Sequence, residues 1–431
     1  MYSIISGPAR IRAVARRTYT SAAAYINQHS PYAVTTYSRP NIVLTKARGS
    51  LVWDMQGKEY VDFISGIAVT GLGHCDPNIT EILRDQGSTL IHSSNLYYND
   101  WTLKLGKDLI ETTRNAGAMV DASRVFLANS GTEANEAAIK FARKWGNLLK
   151  PNHEKTEIVS FENSFHGRTF GSLSATVNPK YQSPFLPMVP GFRHGKINDL
   201  AALGSLVTEN TCAVIIEPIQ GEGGVNVAST EFLMALRRRC DEIGALLIYD
   251  EIQCGLGRTG QLWAHQVFPK EAHPDILTMA KALGNGYPIG ATMITERVES
   301  IMTVGDHGTT YGGNPLGARI ASYVLSKLSS EEILSGVTTR SQMFTKKFDE
   351  FHNKFPEVVA DTRGRGLLLG LQLKVDPTSI VSQALEKGLL LITCGKNTLR
   401  FVPALNIPEE LVTRGLDIVE ECLAQAANDV K

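Results

Sequence analysis

The chain has 431 residues, of which 43% are hydrophobic, so it is long enough to bury a large core and is not intrinsically disordered. Its 43 basic residues balance its 43 acidic residues, and this balance gives no overall charge that would attract nucleic acid or an anionic membrane. None of the six cysteines forms a C-x-x-C pair, and no stretch approaches the 18 consecutive apolar residues of a membrane span. The composition predicts a globular protein with no nucleic-acid partner, no membrane partner and no metal site.

The N-terminal segment differs from the rest of the chain. Four arginines lie among its first 17 residues, serine and threonine are present, and the first acidic residue is Asp54. An Arg-rich, Ser-containing, acid-free terminus is typical of a mitochondrial transit peptide, although a plain disordered basic terminus would share this composition. We favour a transit peptide over residues 1–24 and expect the mature protein in the mitochondrial matrix.

Short apolar runs alternate with helical patterns through the middle of the chain. Such runs, separated by helices, indicate a mostly parallel sheet that is covered on both faces. The sequence therefore predicts an α/β large domain over residues 79–320, with strands at 125–128, 158–161, 213–217, 246–250, 276–279 and 291–294.

The clearest helix follows the first of these strands. Its small and apolar residues fall at helical spacing from Ala134 to Trp145, with charged residues on the other face. A second helix, over 232–243, carries three consecutive arginines, which we interpret as a solvated face and not as a nucleic-acid contact.

Beyond residue 320 the pattern changes to helices at 319–328 and 338–354, a strand at 365–373, a helix at 380–387, strands at 389–392 and 399–402, and a final helix that begins at Pro408. This order predicts a smaller α+β domain over residues 321–431. We expect residues 25–78 to form an N-terminal segment that packs with this small domain.

Lys281 is the strongest single candidate for chemistry. It follows the strand at 276–279 and precedes a glycine-rich turn. A lysine at a strand end is usually a surface charge, but small and apolar neighbours disfavour the ammonium and lower its pKa. A lysine that loses its proton can form a Schiff base with a carbonyl compound.

The turn before the best helix is a candidate anion site. Ser130 and Glu133 fit a capping box, and Gly131 allows backbone N–H groups to approach a ligand. A simple helix cap would have the same residues. The turn matches neither the G-x-G-x-x-G fingerprint nor the Walker A loop, so dinucleotide or nucleoside-triphosphate binding is not supported.

Other candidates lie at further strand ends. Asp250 ends an apolar strand and, if buried, needs a cation such as a protonated ring nitrogen, although it could instead cap the next turn. Phe165 offers a face for stacking, and Arg168 offers a fork for a carboxylate. Glu222 lies in a flexible turn, and residues 307–315 form a glycine-rich loop that suits an anion.

Together these features match pyridoxal phosphate, which requires a lysine for its aldehyde and an acid for its pyridine nitrogen. From about Val34 to the C-terminus, the chain resembles the class-III, or ω-amino-acid, aminotransferases of the fold-type-I pyridoxal-phosphate superfamily. The motifs that carry this resemblance are residues 129–136, 165–169, 217–223, 250–255 and 308–315.

The resemblance implies a set of cofactor contacts. Lys281 would hold the cofactor aldehyde, Asp250 would pair with the ring nitrogen, and Phe165 would stack on the ring. The remaining contacts would be phosphate binding by Gly131 and Thr132, a ring-hydroxyl contact by Gln253, and a contact from Thr310 to the phosphate of the neighbouring subunit. The last contact implies a homodimer with the active site at the subunit interface.

The resemblance also implies substrate contacts. Arg168 would bind a substrate carboxylate, and Thr309 would lie beside the substrate. Arg400 would bind the glutamate carboxylate, and Glu222 would pair with that arginine and mask it when the other substrate is bound.

Residues 63–69 and 92–98 resemble the family members that act on N2-acetylornithine. The implied reaction converts N2-acetylornithine and 2-oxoglutarate to N-acetylglutamate 5-semialdehyde and glutamate, in arginine biosynthesis. Activity on ornithine or 4-aminobutyrate is the alternative, but ornithine enzymes carry a tyrosine near the first segment that has no match here. Two other classes of protein are disfavoured. A nicotinamide dehydrogenase would carry a glycine-rich fingerprint, which this sequence lacks. A catalytically silent binding protein would not need Lys281 and Asp250.

Overall fold

The structure is a computed structural model that describes residues 21–430. Most of the predicted transit peptide, residues 1–20, lies outside the described residues. The described part of the chain divides into two compact units, one formed by residues 21–46 and 52–59 and the other by residues 47–51 and 60–430. The domain boundaries that the sequence predicts at residues 78 and 320 both fall in the second unit and stay predictions.

The strands, in chain order, are β1 (Leu44–Arg48), β2 (Leu51–Asp54), β3 (Glu59–Asp62), β4 (Ala122–Ala128), β5 (Glu157–Phe161), β6 (Phe192–Gly195), β7 (Thr211–Ile216), β8 (Ile219–Gln220), β9 (Asn226–Val227), β10 (Leu246–Asp250), β11 (Ile276–Met279), β12 (Gly290–Thr295), β13 (Val359–Arg365), β14 (Leu368–Leu373), β15 (Leu389–Leu390), β16 (Ile392–Cys394) and β17 (Thr398–Phe401).

The α-helices are α1 (Ala22–His29), α2 (Ser65–Ala68), α3 (Pro77–Thr89), α4 (Asp100–Asn115), α5 (Gly131–Leu149), α6 (Phe170–Ala175), α7 (Pro179–Gln182), α8 (Leu203–Leu206), α9 (Thr230–Ile243), α10 (Glu296–Glu299), α11 (Pro315–Leu328), α12 (Glu331–Lys354), α13 (Thr378–Glu386) and α14 (Glu409–Val430).

The central sheet has seven strands in the order β4-β12-β11-β10-β7-β5-β6. β12 is antiparallel to both of its neighbours, whereas β5, β6, β7, β10 and β11 pair in parallel. Every residue of β7 and β10 is buried, because helices cover both faces of the sheet. The predicted α/β fold with a mostly parallel sheet is confirmed, and all six predicted strands are present.

Helix α5 packs against β7, β11 and β12 through the face that the sequence predicted. Ala134, Ala137, Ala138, Phe141 and Ala142 are all buried on it. Alanines bring the helix axis close to the sheet, since they place almost no side-chain volume between the two layers. The close packing fixes the first turn of α5 relative to the strand ends.

The C-terminal part of the chain contributes an antiparallel sheet in the order β13-β14-β17-β16. The sequence predicted one strand over 365–373, but this region contains the end of β13 and all of β14. Gly366 has φ +60°, a left-handed conformation that glycine adopts without strain, so the chain reverses there. β17 brings Arg400 into the interior.

Candidate active site

A cavity of about 370 Å³ lies at the carboxyl ends of the parallel strands. Seven of the predicted site residues line it, which are Gly131, Thr132, Phe165, Arg168, Asp250, Gln253 and Lys281. The other four, Glu222, Thr309, Thr310 and Arg400, do not line this cavity. The sequence therefore identified seven of the 19 residues that line the cavity, and these seven are up to 150 positions apart (Gly131 to Lys281).

Lys281 follows the end of β11 and begins a short 3-10 helix, Lys281–Gly284. Its φ of +42° is a conformation that costs energy for a residue with a side chain, and such strain persists where the surroundings enforce it. Burial, and then the charge of Arg400, lower the pKa of Lys281 to about 8. An amine with a pKa of about 8 is neutral in roughly a tenth of the molecules at pH 7, a far larger fraction than at the ordinary pKa of 10.5, and the neutral form is the nucleophile and proton acceptor.

Asp250 ends β10 and is only 2% exposed. Its Oδ2 accepts hydrogen bonds from Asn135 Nδ2 and His166 Nδ1, both at 2.8 Å, and its Oδ1 accepts one from Ile252 N at 3.1 Å. A carboxylate has about four acceptor sites, so Asp250 retains one on Oδ1 while it faces the cavity. The alternative in which Asp250 caps the next turn is also present, since the bond to Ile252 N is such a cap.

Asn135 and His166 are site residues to which the sequence reasoning gave no role. Asn135 Nδ2 also donates to the backbone oxygen of His166 at 2.7 Å, and its Oδ1 accepts from Thr278 Oγ1 at 2.8 Å. Both residues lie inside motifs that the sequence singled out, but their side chains meet Asp250 only across the folded sheet. A polar residue within the apolar face of α5 is the sequence signal that could have identified Asn135 as a site residue.

Glu217 is a third missed residue, and it lies directly after β7. Its Oε1 accepts from Phe165 N at 2.9 Å and its Oε2 accepts from Gly221 N at 3.0 Å, so one carboxylate joins two loops of the cavity. Burial, with a smaller contribution from the charge of Asp250, raises the pKa of Glu217 to about 7, although His166 opposes this shift.

The first turn of α5 is capped by Ser130, whose Oγ accepts from Glu133 N at 3.3 Å. Glu133 Oε2 accepts a hydrogen bond from Asn129 N at 2.7 Å. In the predicted capping box this acceptor would bind Ser130 N, so the second bond of the box is shifted by one residue. The N–H groups of Gly131 and Thr132 lie where a helix provides no internal acceptor. A Cβ on Gly131 would lie 2.8 Å from Ile252 Cδ1, so a larger residue there would require the Ile252 side chain to shift.

Arg168 is exposed, and its guanidinium lies against aromatic rings. Its Cζ is 3.8 Å from the centre of the Tyr181 ring and 5.4 Å from that of Phe165. The two rings meet edge to face, with centres 6.2 Å apart. The arginine that the sequence assigned to a carboxylate is therefore held by stacking.

Arg400 is held differently. It is 1% exposed, and its Nη2 lies 2.9 Å from Glu222 Oε2. Its Nη1 donates to Gln253 Oε1 at 3.2 Å, and Gln253 lines the cavity. Glu222 and Arg400 are thus in contact, as predicted, and Gln253 connects Arg400 to the cavity.

Thr309 and Thr310 line a second cavity of about 940 Å³. Thr309 Oγ1 accepts from Asn129 Nδ2 at 3.2 Å, and Asn129 lines the first cavity, so Thr309 is one contact away from it. Thr310 is exposed. Thr310 therefore faces solvent and does not line the first cavity of its own chain.

Residues 32–423 match the model of the family described as aminotransferase class-III. The chain belongs to the class-III aminotransferase family. Acetylornithine aminotransferase, mitochondrial, from Neurospora crassa is 59% identical to this aminotransferase over 396 residues, which cover 92% of this chain and 86% of the relative.

Two solved structures support the same assignment. The crystal structure of N-acetylornithine aminotransferase from Stenotrophomonas maltophilia K279a has a TM-score of 0.79 and 38% identity, and the match covers 94% of this chain and 100% of that chain. The ornithine aminotransferase from Toxoplasma gondii ME49 has a TM-score of 0.88 and 32% identity, with 95% and 97% covered. Similarity of fold therefore does not separate the two substrate groups.

Class-III aminotransferases depend on pyridoxal 5′-phosphate, and the cavity of this aminotransferase fits that cofactor. Two buried carboxylates, Asp250 and Glu217, face it, and Asp250 retains an acceptor site for a ring N–H. The first turn of α5 offers the N–H groups of Gly131 and Thr132 to a phosphate.

Residues 21–430 lack two kinds of feature. No helix in this range is both long and apolar enough to cross a membrane. No group of three or more His, Cys, Asp and Glu side chains in the same range is arranged to hold a metal ion.

Proposed function

We propose that this aminotransferase transfers the 5-amino group of N2-acetylornithine to 2-oxoglutarate, giving N-acetylglutamate 5-semialdehyde and glutamate, in arginine biosynthesis. The observation that carries the proposal is that the cavity combines an amine of lowered pKa, Lys281, with a buried carboxylate, Asp250. One arginine, Arg168, lies in the cavity wall, and a second, Arg400, donates a hydrogen bond to the wall residue Gln253. The Neurospora crassa relative, at 59% identity, bears the corresponding name.

Each predicted cofactor contact has a physical basis in this chain. Pyridoxal 5′-phosphate supplies an aldehyde that takes up the amino group and a protonated ring that withdraws electrons. Lys281 would hold the aldehyde, and the Asp250 carboxylate would keep the ring nitrogen protonated. Gly131 and Thr132 would hold the phosphate, Phe165 would lie against the ring, and Gln253 would reach the ring hydroxyl.

Lys281 would also move the proton. Its Nζ, once free, would take the proton from the substrate carbon, and this requires the amine to be neutral at working pH. With a pKa of about 8, roughly a tenth of the amine is neutral at pH 7 and about half at pH 8. General-base catalysis by a group whose pKa lies near the working pH contributes roughly 10²- to 10⁴-fold to the rate.

Two arginines would allow one cavity to accept two substrates. Arg168 would bind the carboxylate of N2-acetylornithine, with Thr309 beside the substrate. Arg400 would bind a carboxylate of glutamate or 2-oxoglutarate after Glu222 moves away, since Glu222 lies 2.9 Å from it in the described arrangement. With Glu222 in place, the charge of Arg400 is neutralised and an amine without a carboxylate at its reacting end can enter.

Activity on ornithine is the alternative, and the fold similarity to the Toxoplasma gondii enzyme keeps it under consideration. In the segment 63–69, Val69 lines the cavity, and it has no polar side-chain atom with which to bind a free α-amino group. Residues Ser65, Ile67 and Ala68 have positive φ angles of 44°, 64° and 61°, so this segment is held in a strained conformation that presents Val69. An apolar side chain there favours the acylated substrate.

Relative kcat/KM values on N2-acetylornithine, ornithine and 4-aminobutyrate test the proposal. We expect N2-acetylornithine to be preferred over each of the other amines by about tenfold or more, which corresponds to about 1.4 kcal/mol of discrimination. A preference for ornithine or 4-aminobutyrate would overturn the substrate assignment while leaving the aminotransferase family intact. The Lys281→Ala protein serves as the control for background transamination.

The same proposal includes a homodimer. The second cavity, which Thr310 also lines, contains exposed apolar side chains, including Leu96 (86% exposed) and Leu103 (57%). A second copy of this chain would cover them and receive Thr310 at its phosphate site. Sedimentation at micromolar concentration should give twice the chain mass of 47.0 kDa, less any removed leader.

We also propose that residues 1–24 direct the chain to the mitochondrial matrix. The Neurospora crassa relative is named mitochondrial, which supports the organelle. The division into residues 25–78, 79–320 and 321–431 is proposed with it. Subcellular fractionation of a tagged chain, with and without residues 1–24, tests whether these residues direct it to the mitochondrial matrix.

A further inference from the structure

We propose that Tyr181 is a positioning residue that orients the Arg168 guanidinium and thereby sets the affinity for substrates with a carboxylate far from the reacting nitrogen. This inference rests on the proposed role of Arg168. Tyr181 does not line the cavity, so it would act on the substrate only through the arginine.

The Arg168 guanidinium is restrained by two aromatic rings, those of Tyr181 and Phe165. Arg168 Cζ lies 3.8 Å from the centre of the Tyr181 ring, which is a closer approach than its 5.4 Å to Phe165. Within residues 21–430, the hydrogen bond of Arg168 is that of its backbone N–H to Thr132 Oγ1, and its guanidinium forms neither a hydrogen bond nor an ion pair. Its donors are therefore free for a ligand while the guanidinium lies against the Tyr181 ring.

Tyr181 is itself well anchored. It lies in α7, where its N–H donates to Asn178 O at 2.9 Å. The next residue, Gln182, donates its amide to Leu173 O at 3.0 Å and to Thr176 O at 2.9 Å, at the C-terminal end of α6. The short helix α7 is thus attached to α6, and the Tyr181 ring is presented to Arg168 from a fixed backbone.

An exposed arginine normally samples many rotamers, and ordering one of them on binding reduces affinity. Stacking on a fixed ring restricts the side chain before the substrate arrives, and an exposed cation–π contact has a modest strength. Loss of the ring should therefore weaken carboxylate binding by about three- to tenfold. The hydroxyl group is not required for stacking, so phenylalanine should replace tyrosine.

The test compares Tyr181→Leu with Tyr181→Phe in the holoenzyme. We expect KM for N2-acetylornithine to rise about three- to tenfold in the Leu variant and to stay within about twofold in the Phe variant, with kcat within about twofold in both. The dissociation constant of glutarate, a dicarboxylate with no reacting nitrogen, should weaken by the same factor in calorimetry. The cofactor absorbance spectrum and cofactor affinity should not change.

Arg168→Gln separates this inference from the proposed function. If Arg168→Gln leaves KM and glutarate binding unchanged, the proposed role of Arg168 is wrong, and the proposed role of Tyr181 fails with it, whereas the substrate assignment is decided by the kcat/KM comparison. If Arg168→Gln raises KM but Tyr181→Leu does not, only the role of Tyr181 is overturned. We expect Tyr181→Leu to have no further effect on KM in the Arg168→Gln background, and a further increase there, or loss of cofactor from the Leu variant, would indicate a structural role instead.

Discussion

Two parts of the cavity wall are held in place by different forces. The buried carboxylate cluster, which we define as Asp250, Glu217, Asn135 and His166, is fixed by hydrogen bonds of 2.7 to 3.1 Å, and its residues are at most 5% exposed. Arg168, in contrast, is exposed and is restrained by aromatic rings.

This difference separates two kinds of function. A buried hydrogen-bonded network is expensive to disturb, because a lost partner leaves a polar group unsatisfied. An exposed stacked arginine can be changed with little effect on stability. Substitutions in the cluster should therefore affect cofactor retention and folding, whereas substitutions around Arg168 should affect substrate affinity alone.

Lys281→Ala should have the largest effect, since it removes the proposed nucleophile and proton acceptor together. We expect turnover to fall by roughly 10⁴-fold or more, because covalent and acid–base contributions are both lost. Single-turnover absorbance of the purified variant measures this. Near-normal transamination by the variant would refute the assignment of Lys281.

Asp250→Asn should rank next. The amide cannot hold a positive ring nitrogen, so we expect the rate to fall by roughly 10²- to 10³-fold and the cofactor to bind more weakly. The matched control is Asp275→Asn, a buried aspartate that pairs with Arg237 at 2.7 Å and does not line the cavity.

The Asp275 control should lower the free energy of unfolding by about 3 to 5 kcal/mol, as breaking a buried ion pair does, but leave the rate of the folded enzyme nearly unchanged. Equal losses of activity in the two variants, corrected for folded fraction, would show that Asp250 acts only through stability. Urea unfolding and cofactor titration distinguish the two cases.

Glu217→Gln should have an intermediate effect that depends on pH. The amide has one acceptor oxygen, so either Phe165 N or Gly221 N loses its partner, at a cost of about 1 to 3 kcal/mol. Because folding raises the pKa of Glu217 from 4.5 to about 7, the stability that the protonated carboxyl contributes is complete below pH 4.5 and is lost as the pH rises through 7.

Urea midpoints of the cofactor-free wild-type protein and of the cofactor-free Glu217→Gln variant, at pH 5 and pH 8, measure this linkage. We expect the advantage of the wild type, in free energy of unfolding, to be larger at pH 5 than at pH 8. An advantage that does not change with pH would mean that the pKa of Glu217 is not raised in the folded protein.

Ser130→Ala should have the smallest effect. Loss of an N-cap costs about 1 kcal/mol of stability, and Ser229, whose Oγ accepts from Phe232 N at 3.1 Å at the start of α9, provides a matched control. Both alanine variants should lose similar stability in the cofactor-free protein. Only Ser130→Ala should also weaken cofactor binding. Equal cofactor affinity in the two variants would show that the start of α5 does not bind the cofactor phosphate.

Local patterns in the sequence determined most of the fold and much of the candidate site. Apolar runs with helical spacing between them predicted six strands of the central sheet, and residues such as Asp250 and Lys281 were recognised because they end those strands. β6 was missed, since half-buried residues such as Arg193 break its apolar pattern. The turn at Gly366 was missed because a continuous apolar run conceals it.

Tertiary structure decided the rest, because it depends on contacts between residues that are distant in the chain. Asn135, His166 and Glu217 became site residues only when parallel strands brought their side chains to one edge of the sheet. The settings of Arg168 and Arg400, one exposed and one buried, are likewise absent from any local pattern. The sequence by itself determined which chemical groups this aminotransferase has, and the fold decided which of them are buried together and therefore how their charges and protons behave.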